Sequence, residues 1–165
     1  MTRRVNEILN PLFHGDKPYA TSNSCTADAI THENGRRYIR AYDLSGGDPY
    51  VDFASLQHVA PGSYRFRCEL YAQGGQGCLR IFQRNENASS YTRLYELYVN
   101  DGVTKLADTT LQLSGRGLLF RIVPVNTDSM VMLCRPLLEL ESTYDPELWY
   151  FDYSTMPRGL GGGLT

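Results

Sequence analysis

Residues 63–71 read Ser-Tyr-Arg-Phe-Arg-Cys-Glu-Leu-Tyr, and this strict alternation constrains the fold more than any other stretch of the chain. A period of two puts Tyr64, Phe66, Cys68 and Leu70 on one side of an extended strand and Arg65, Arg67, Glu69 and Tyr71 on the other. A helix would mix the two sets, so the segment reads as a strand with one face in a core and the other in water. Beyond the glycine-rich turn at 73–77, residues 78–83 repeat the pattern.

Further short runs rich in Tyr, Val, Phe and Ile lie at 37–42, 50–53, 94–99, 103–106, 118–123 and 130–134, punctuated by Gly and Pro. Asn100-Asp101-Gly102 carries the composition of a tight hairpin turn between two of them. Tyr91, Leu94, Tyr95 and Tyr98 also fit helical spacing, but the aromatic content and the turn that follows favour a strand. The expected class is an all-β sandwich or barrel.

A chain of 165 residues buries enough surface to fold without a disulfide or a metal. The expected organisation is one sandwich over 1–146 and an extended aromatic and glycine-rich tail over 147–165. Sixteen Lys and Arg against 18 Asp and Glu give a net charge of −2, which argues against a general nucleic-acid binder. No apolar run reaches the ~20 residues of a membrane-spanning helix, and residues 1–7 lack the apolar stretch of a secretion signal. The expectation is a soluble chain made in the cytoplasm. Cys25, Cys68, Cys78 and Cys134 show no metal-ligand spacing and read as small buried apolar side chains. Cys68 and Cys78 flank the glycine turn, where they could face each other across a hairpin.

Catalytic chemistry finds no foothold. His14, His32 and His58 have no metal-ligand partner at short spacing, and no nucleophile motif is present, so each reads as a turn or surface residue. Asp43, Asp48 and Asp52 lie loosely around a Gly-Gly loop; they read as solvated carboxylates in preference to calcium ligands. No enzyme, metal or cofactor is expected. The wet face of the central strand is of more interest. Arg65, Arg67 and Tyr71, with Arg80 and Phe82 expected beside them, combine forked donors with flat rings suited to a sugar or to a protein surface. The same residues equally fit an ordinary solvated face with Arg–Glu pairing.

The two ends of the chain carry a resemblance. Residues 3–13, Arg-Arg-Val-Asn-Glu-Ile-Leu-Asn-Pro-Leu-Phe, resemble the opening of minor tail proteins of bacteriophages that infect actinobacteria. The segments 35–40, 60–66 and 137–142 are similar to strands of their jelly-roll domain, itself like carbohydrate-binding modules. Residues 150–157, Tyr-Phe-Asp-Tyr-Ser-Thr-Met-Pro, resemble the exit from that domain, with Tyr153 where Gly is usual and Met156 separating Thr from Pro.

The resemblance implies a jelly-roll β-sandwich acting as a virion structural protein, a minor tail protein at the distal tail that touches host-surface glycan. Its partners would be other virion proteins and further copies of itself, with no nucleic acid and no membrane. A terminal aromatic stretch left in water exposes a large apolar patch, so Trp149, Tyr150, Phe151, Tyr153 and Met156 either pack back on their own sandwich or dock on a neighbouring subunit, and in a virion protein docking is the favoured expectation. A capsid decoration protein and a stand-alone carbohydrate-binding lectin module are the alternatives.

Overall fold

Alternation along the chain is realised as ten strands in a computed structural model that describes residues 4–9, 12–87 and 89–148. They are β1 (Thr21–Asn23), β2 (Thr26–Thr31), β3 (Arg37–Tyr42), β4 (Tyr50–Leu56), β5 (Gly62–Gln73), β6 (Gly77–Arg84), β7 (Tyr91–Val99), β8 (Thr104–Leu113), β9 (Leu118–Pro124) and β10 (Met130–Leu140). Two antiparallel five-stranded sheets pack face to face, in the orders β1-β4-β9-β6-β7 and β2-β3-β10-β5-β8. Residues 91–99 are strand, as the aromatic content indicated. The sandwich is a jelly roll.

The inward set of β5 is the core set predicted from its period: Tyr64, Phe66, Cys68 and Leu70 are all buried. Phe66 of the second sheet stacks on Phe120 of the first, with ring centroids 5.5 Å apart, and Phe53 lies 5.8 Å from the same ring. Phe13 closes the stack edge-on against Phe53. Each fully buried ring of this kind contributes about 1.5–3 kcal/mol through removal from water.

Two turns expected to make hairpins do something else. Of the consecutive strands among the described residues, only β2–β3 and β6–β7 pair with each other. The turn at 74–77 carries the chain from the end of β5 in one sheet to β6 in the other, and Asn100-Asp101-Gly102 likewise joins β7 to β8 across the sandwich. Cys68 and Cys78 therefore do not face each other: Cys68 is in the core between the sheets, while Cys78 lies on the outward set of β6. The physical reason is closeness. A Cβ on Gly77 would meet Val131 Cγ2 at 2.7 Å, and one on Gly74, at φ +75°, would meet the Asp128 carbonyl at 2.4 Å. The glycines allow corners to wrap over the end of the core. Side chains then tie the corners together: Gly74 N donates to Asp101 Oδ1 and Gln76 N to Asn126 Oδ1.

Residues 137–142, expected as a closing strand of their own, are mostly the second half of β10, which pairs with β5 on both sides of a bulge between Cys134 and Leu137. Arg135 there is left-handed, at φ 55°. The N-terminal segment holds the bulge shut. Buried Asn6 donates from Nδ2 to Pro136 O at 3.0 Å, and its Oδ1 accepts from Leu138 N at 3.0 Å and Ile8 N at 3.1 Å. Arg4 makes a bidentate pair, at 2.8 and 2.7 Å, with Glu139, whose side chain is 0 % exposed. Ile8 and Phe13 then enter the core. Within that stretch, buried Asn6 and Ile8 and part-buried Arg4 thus seal this sandwich.

Candidate functional site

Strand registers place one continuous row of side chains across the outer face of the β2-β3-β10-β5-β8 sheet. Asp28 of β2 lies opposite Arg40 of β3, Arg40 opposite Met132 of β10, Met132 opposite Tyr71 of β5, and Tyr71 opposite Thr104 of β8. In the neighbouring row, Ile30 faces Tyr38, and Cys134 faces Glu69, which faces Leu106. The outward positions of β3 are Tyr38, Arg40 and Tyr42, because Ile39 and Ala41 go to the core. These rows enclose a groove of about 350 Å³, with Tyr38, Tyr71, Met130, Met132 and Arg40 in its lining. His32 stands edge-on to Tyr38, ring centroids 4.8 Å apart.

The groove's charged groups are held in fixed positions. Arg40 pairs with both oxygens of Asp28, Nη2 to Oδ2 at 2.7 Å, and lies over the Tyr42 ring at 4.5 Å, while the Tyr42 hydroxyl donates to Asp28 at 3.0 Å. That arginine holds the Asp28 carboxyl below the usual aspartate range. Arg36 Nη1 donates to Glu69 at 2.8 Å. Cys134 donates its thiol to Glu69 at 3.1 Å, and burial pushes that thiol up to about 12, so it is no nucleophile near neutral pH. Burial raises the Tyr38 hydroxyl, which therefore stays a neutral donor. The arrangement offers flat faces and oriented donors and acceptors, the equipment of a binding site for a ring bearing hydroxyl groups.

Tyr71, Arg65 and Arg67 share this face, as expected, but the two arginines sit in a separate, self-closed half. Arg65 pairs with Asp108 at 2.6 Å and Arg67 at 3.4 Å, and both guanidinium groups lie over the Tyr144 ring. The Tyr144 hydroxyl also accepts from Arg67. This matches the pairing alternative, with Asp108 of β8 as the acid where Glu was expected and the ring of Tyr144, from the exit segment, lying against both arginines. Arg80 and Phe82 are not beside them. They lie outward on the other sheet, on the far side of the sandwich, because β5 and β6 belong to different sheets. There Arg80 pairs with Glu96 at 2.7 Å, and Arg121 lies 3.5 Å from the Tyr50 ring centroid and 5.6 Å from that of Phe82.

Trp149, Tyr150, Phe151, Tyr153 and Met156 lie outside the described residues. His14, His32 and His58 are exposed. Asp52 is not a solvated loop carboxylate: it is buried on β4 and accepts from Arg121 at 2.7 and 3.1 Å. Among the described residues no His, Cys, Asp and Glu group suits a metal ion, and no helix is long and apolar enough to cross a membrane. Tyr38, Arg40 and Tyr42 went unnoticed as site residues, although their alternation with Ile39 and Ala41 is visible in the sequence. Nothing in the sequence places Met132 between Arg40 and Tyr71.

No protein-family model and no curated protein sequence matches the chain. Solved structures with this sandwich do. The CBM22-1 xylan-binding domain of Paenibacillus barcinonensis Xyn10C superposes with a TM-score of 0.58 at 11 % identity, covering 84 % of this chain and 97 % of that one. The CBM22-1–GH10 modules of Clostridium thermocellum endo-1,4-β-D-xylanase 10B, complexed with xylohexaose, give 0.60 at 11 % identity over 86 % of this chain; this chain spans only 30 % of that longer one. A putative sugar binding protein of Bacteroides thetaiotaomicron gives 0.54 at 10 % identity, covering 82 % and 94 %. The fold is the carbohydrate-binding-module type of jelly roll.

Proposed function

We propose that this protein is a glycan-binding module that acts by binding and carries out no reaction. The observation that carries the reading is the five-strand row Asp28–Arg40–Met132–Tyr71–Thr104, opening as a groove walled by Tyr38 and Tyr71. Rings offer a sugar its apolar face, and Arg40, held by Asp28, and Glu69 address its hydroxyls. The fold supports the reading by analogy alone, since one fold hosts many functions. The test is a glycan array followed by calorimetry on the best binder. Tyr71→Ala is expected to weaken binding roughly tenfold, and Phe82→Ala, on the opposite face, to leave it unchanged. A wild-type chain that binds no glycan, or equal affinity in Tyr71→Ala, refutes the site.

A second reading places the module on a bacteriophage particle as a minor tail protein. It is supported by the patterns at 3–13 and 150–157, and residues 147–165 would then be the segment that docks on a neighbouring subunit. Immunogold labelling of intact particles tests it: label at the distal tail supports it, label over the head favours a capsid decoration protein, and no label removes both.

A further inference from the structure

At one end of the sandwich, beside the groove, a second cavity of about 490 Å³ is lined by Arg36, Arg37, Arg135, His14, Thr31 and Leu12. Three arginines line it and, among the described residues, no Asp or Glu does; Arg36 also reaches Glu69 of the neighbouring groove. In a chain of net charge −2 this is a local reversal of sign. Most arginines of the chain meet acids: Arg4, Arg40, Arg65, Arg80, Arg116 and Arg121 pair with carboxylates at 2.5–2.7 Å, and Arg36 of this lining is shared with Glu69 of the groove at 2.8 Å. Arg37 instead directs Nε to the Phe13 carbonyl at 2.7 Å and Nη1 to the Thr31 hydroxyl, both neutral oxygens. These bonds set its position without cancelling its charge.

The backbone around the cavity is built to present these groups. Arg135 occupies the β10 bulge at φ 55°, and Phe13, whose carbonyl holds Arg37, is at φ 53°. Left-handed backbone is costly for such residues, and it persists only where the surroundings enforce it. Beside Arg135, Asn6 holds the bulge through its bond to Pro136 O and its acceptance from Leu138 N. A bulge re-aims a side chain: with two residues of β10 opposing one of β5, Arg135 enters the cavity lining while Cys134 keeps its place opposite Glu69.

We infer that this cavity is an anion subsite, which takes a carboxylate or phosphate borne by an acidic polysaccharide whose adjoining sugars lie in the groove. The inference rests on the glycan reading of that groove. The β2–β3 turn links the two cavities, since His32 and Asn34 line the groove while Gly35 and Arg36 line the basic cavity. Forked guanidinium groups match the paired oxygens of such anions. Three arginines in a chain of negative net charge suit one or two anionic groups, and not the continuous phosphate track of a nucleic acid.

The test uses the full chain and matched polysaccharide pairs: polygalacturonate with its methyl ester, alginate with its propylene-glycol ester, and phosphomannan before and after phosphatase. Arg135→Asn removes the charge while keeping a residue that tolerates the left-handed backbone, so its fold should survive; an unchanged Tm checks this. The acidic member of at least one pair should bind at least about tenfold more tightly than its neutral partner, and Arg135→Asn should erase that preference without changing neutral binding. Neutral members that bind through Tyr71 with no acidic preference overturn the subsite and leave the glycan reading standing. If no member of any pair binds, the glycan reading falls, and titration with inorganic phosphate followed by NMR decides the cavity: shifts at Arg36, Arg37 and Arg135 support it, and none overturns it. Tighter, Arg135-dependent binding of a single-stranded oligonucleotide than of any acidic polysaccharide also overturns it.

Discussion

Asn6 offers the sharpest test of how the sandwich is sealed. Its side chain is buried and makes three hydrogen bonds, donating to Pro136 O and accepting from Ile8 N and Leu138 N. Asn6→Ala leaves three buried backbone groups without these partners: Pro136 O in the β10 bulge, Leu138 N just after it, and Ile8 N in the N-terminal segment. At about 1 kcal/mol net for each bond, the expected loss is about 3 kcal/mol. For a domain of this size each kcal/mol moves the midpoint by roughly 2–4 °C, so Tm should fall by about 6–12 °C. Calorimetry measures it, with exposed Gln57→Ala as the control, expected within about 0.5 kcal/mol of wild type. Hydrogen exchange should accelerate at Leu138 and at Glu7, whose amide donates to Leu138 O at 2.8 Å. A Tm loss of less than about 2 °C would refute the view that Asn6 locks the bulge.

Three further outcomes are expected. Arg40 depresses the Asp28 carboxyl, so the stability gained there is complete above the unfolded aspartate value of about 4 and disappears as pH falls through the lower folded value. The Tm advantage of wild type over Asp28→Asn should thus be constant above about pH 5 and shrink towards pH 3, and an advantage undiminished at pH 3 contradicts this. Gly77→Ala forces a methyl against Val131 and should cost about 1–3 kcal/mol, whereas Gly47→Ala, with nothing within 4 Å, should be far milder; equal effects argue against the tight corner. Tyr144→Ala removes the ring beneath Arg65 and Arg67 and should lower stability by about 1–2 kcal/mol in urea unfolding while glycan affinity is unchanged. Loss of glycan binding in that variant would move the site into the half of the face that Tyr144 closes.

Local pattern determined much of this protein by itself. The period-two runs at 37–42, 63–71, 78–83 and 118–123 are strands because each separates an apolar set from a polar one, and that separation is a property of neighbouring residues. The buried set of β5 follows from the same alternation. By contrast, β2 escapes notice, since Thr-Ala-Asp-Ala-Ile-Thr has weak strand-forming composition and is held by its register with β3.

Which strand lies beside which was decided only by the tertiary structure. A glycine turn serves a hairpin and a sheet-crossing corner equally well, and the choice falls to the packing of the core between the sheets. Crossing at 74–77 sent Arg80 and Phe82 to the far side of the sandwich and left Arg65 and Arg67 to Asp108 and Tyr144. The same topology set Met132 between Arg40 and Tyr71, and a bulge locked from 130 residues away carried Arg135 to the basic cavity. Faces are written in the sequence because alternation is local; sites are not, because they form between strands far apart in the chain.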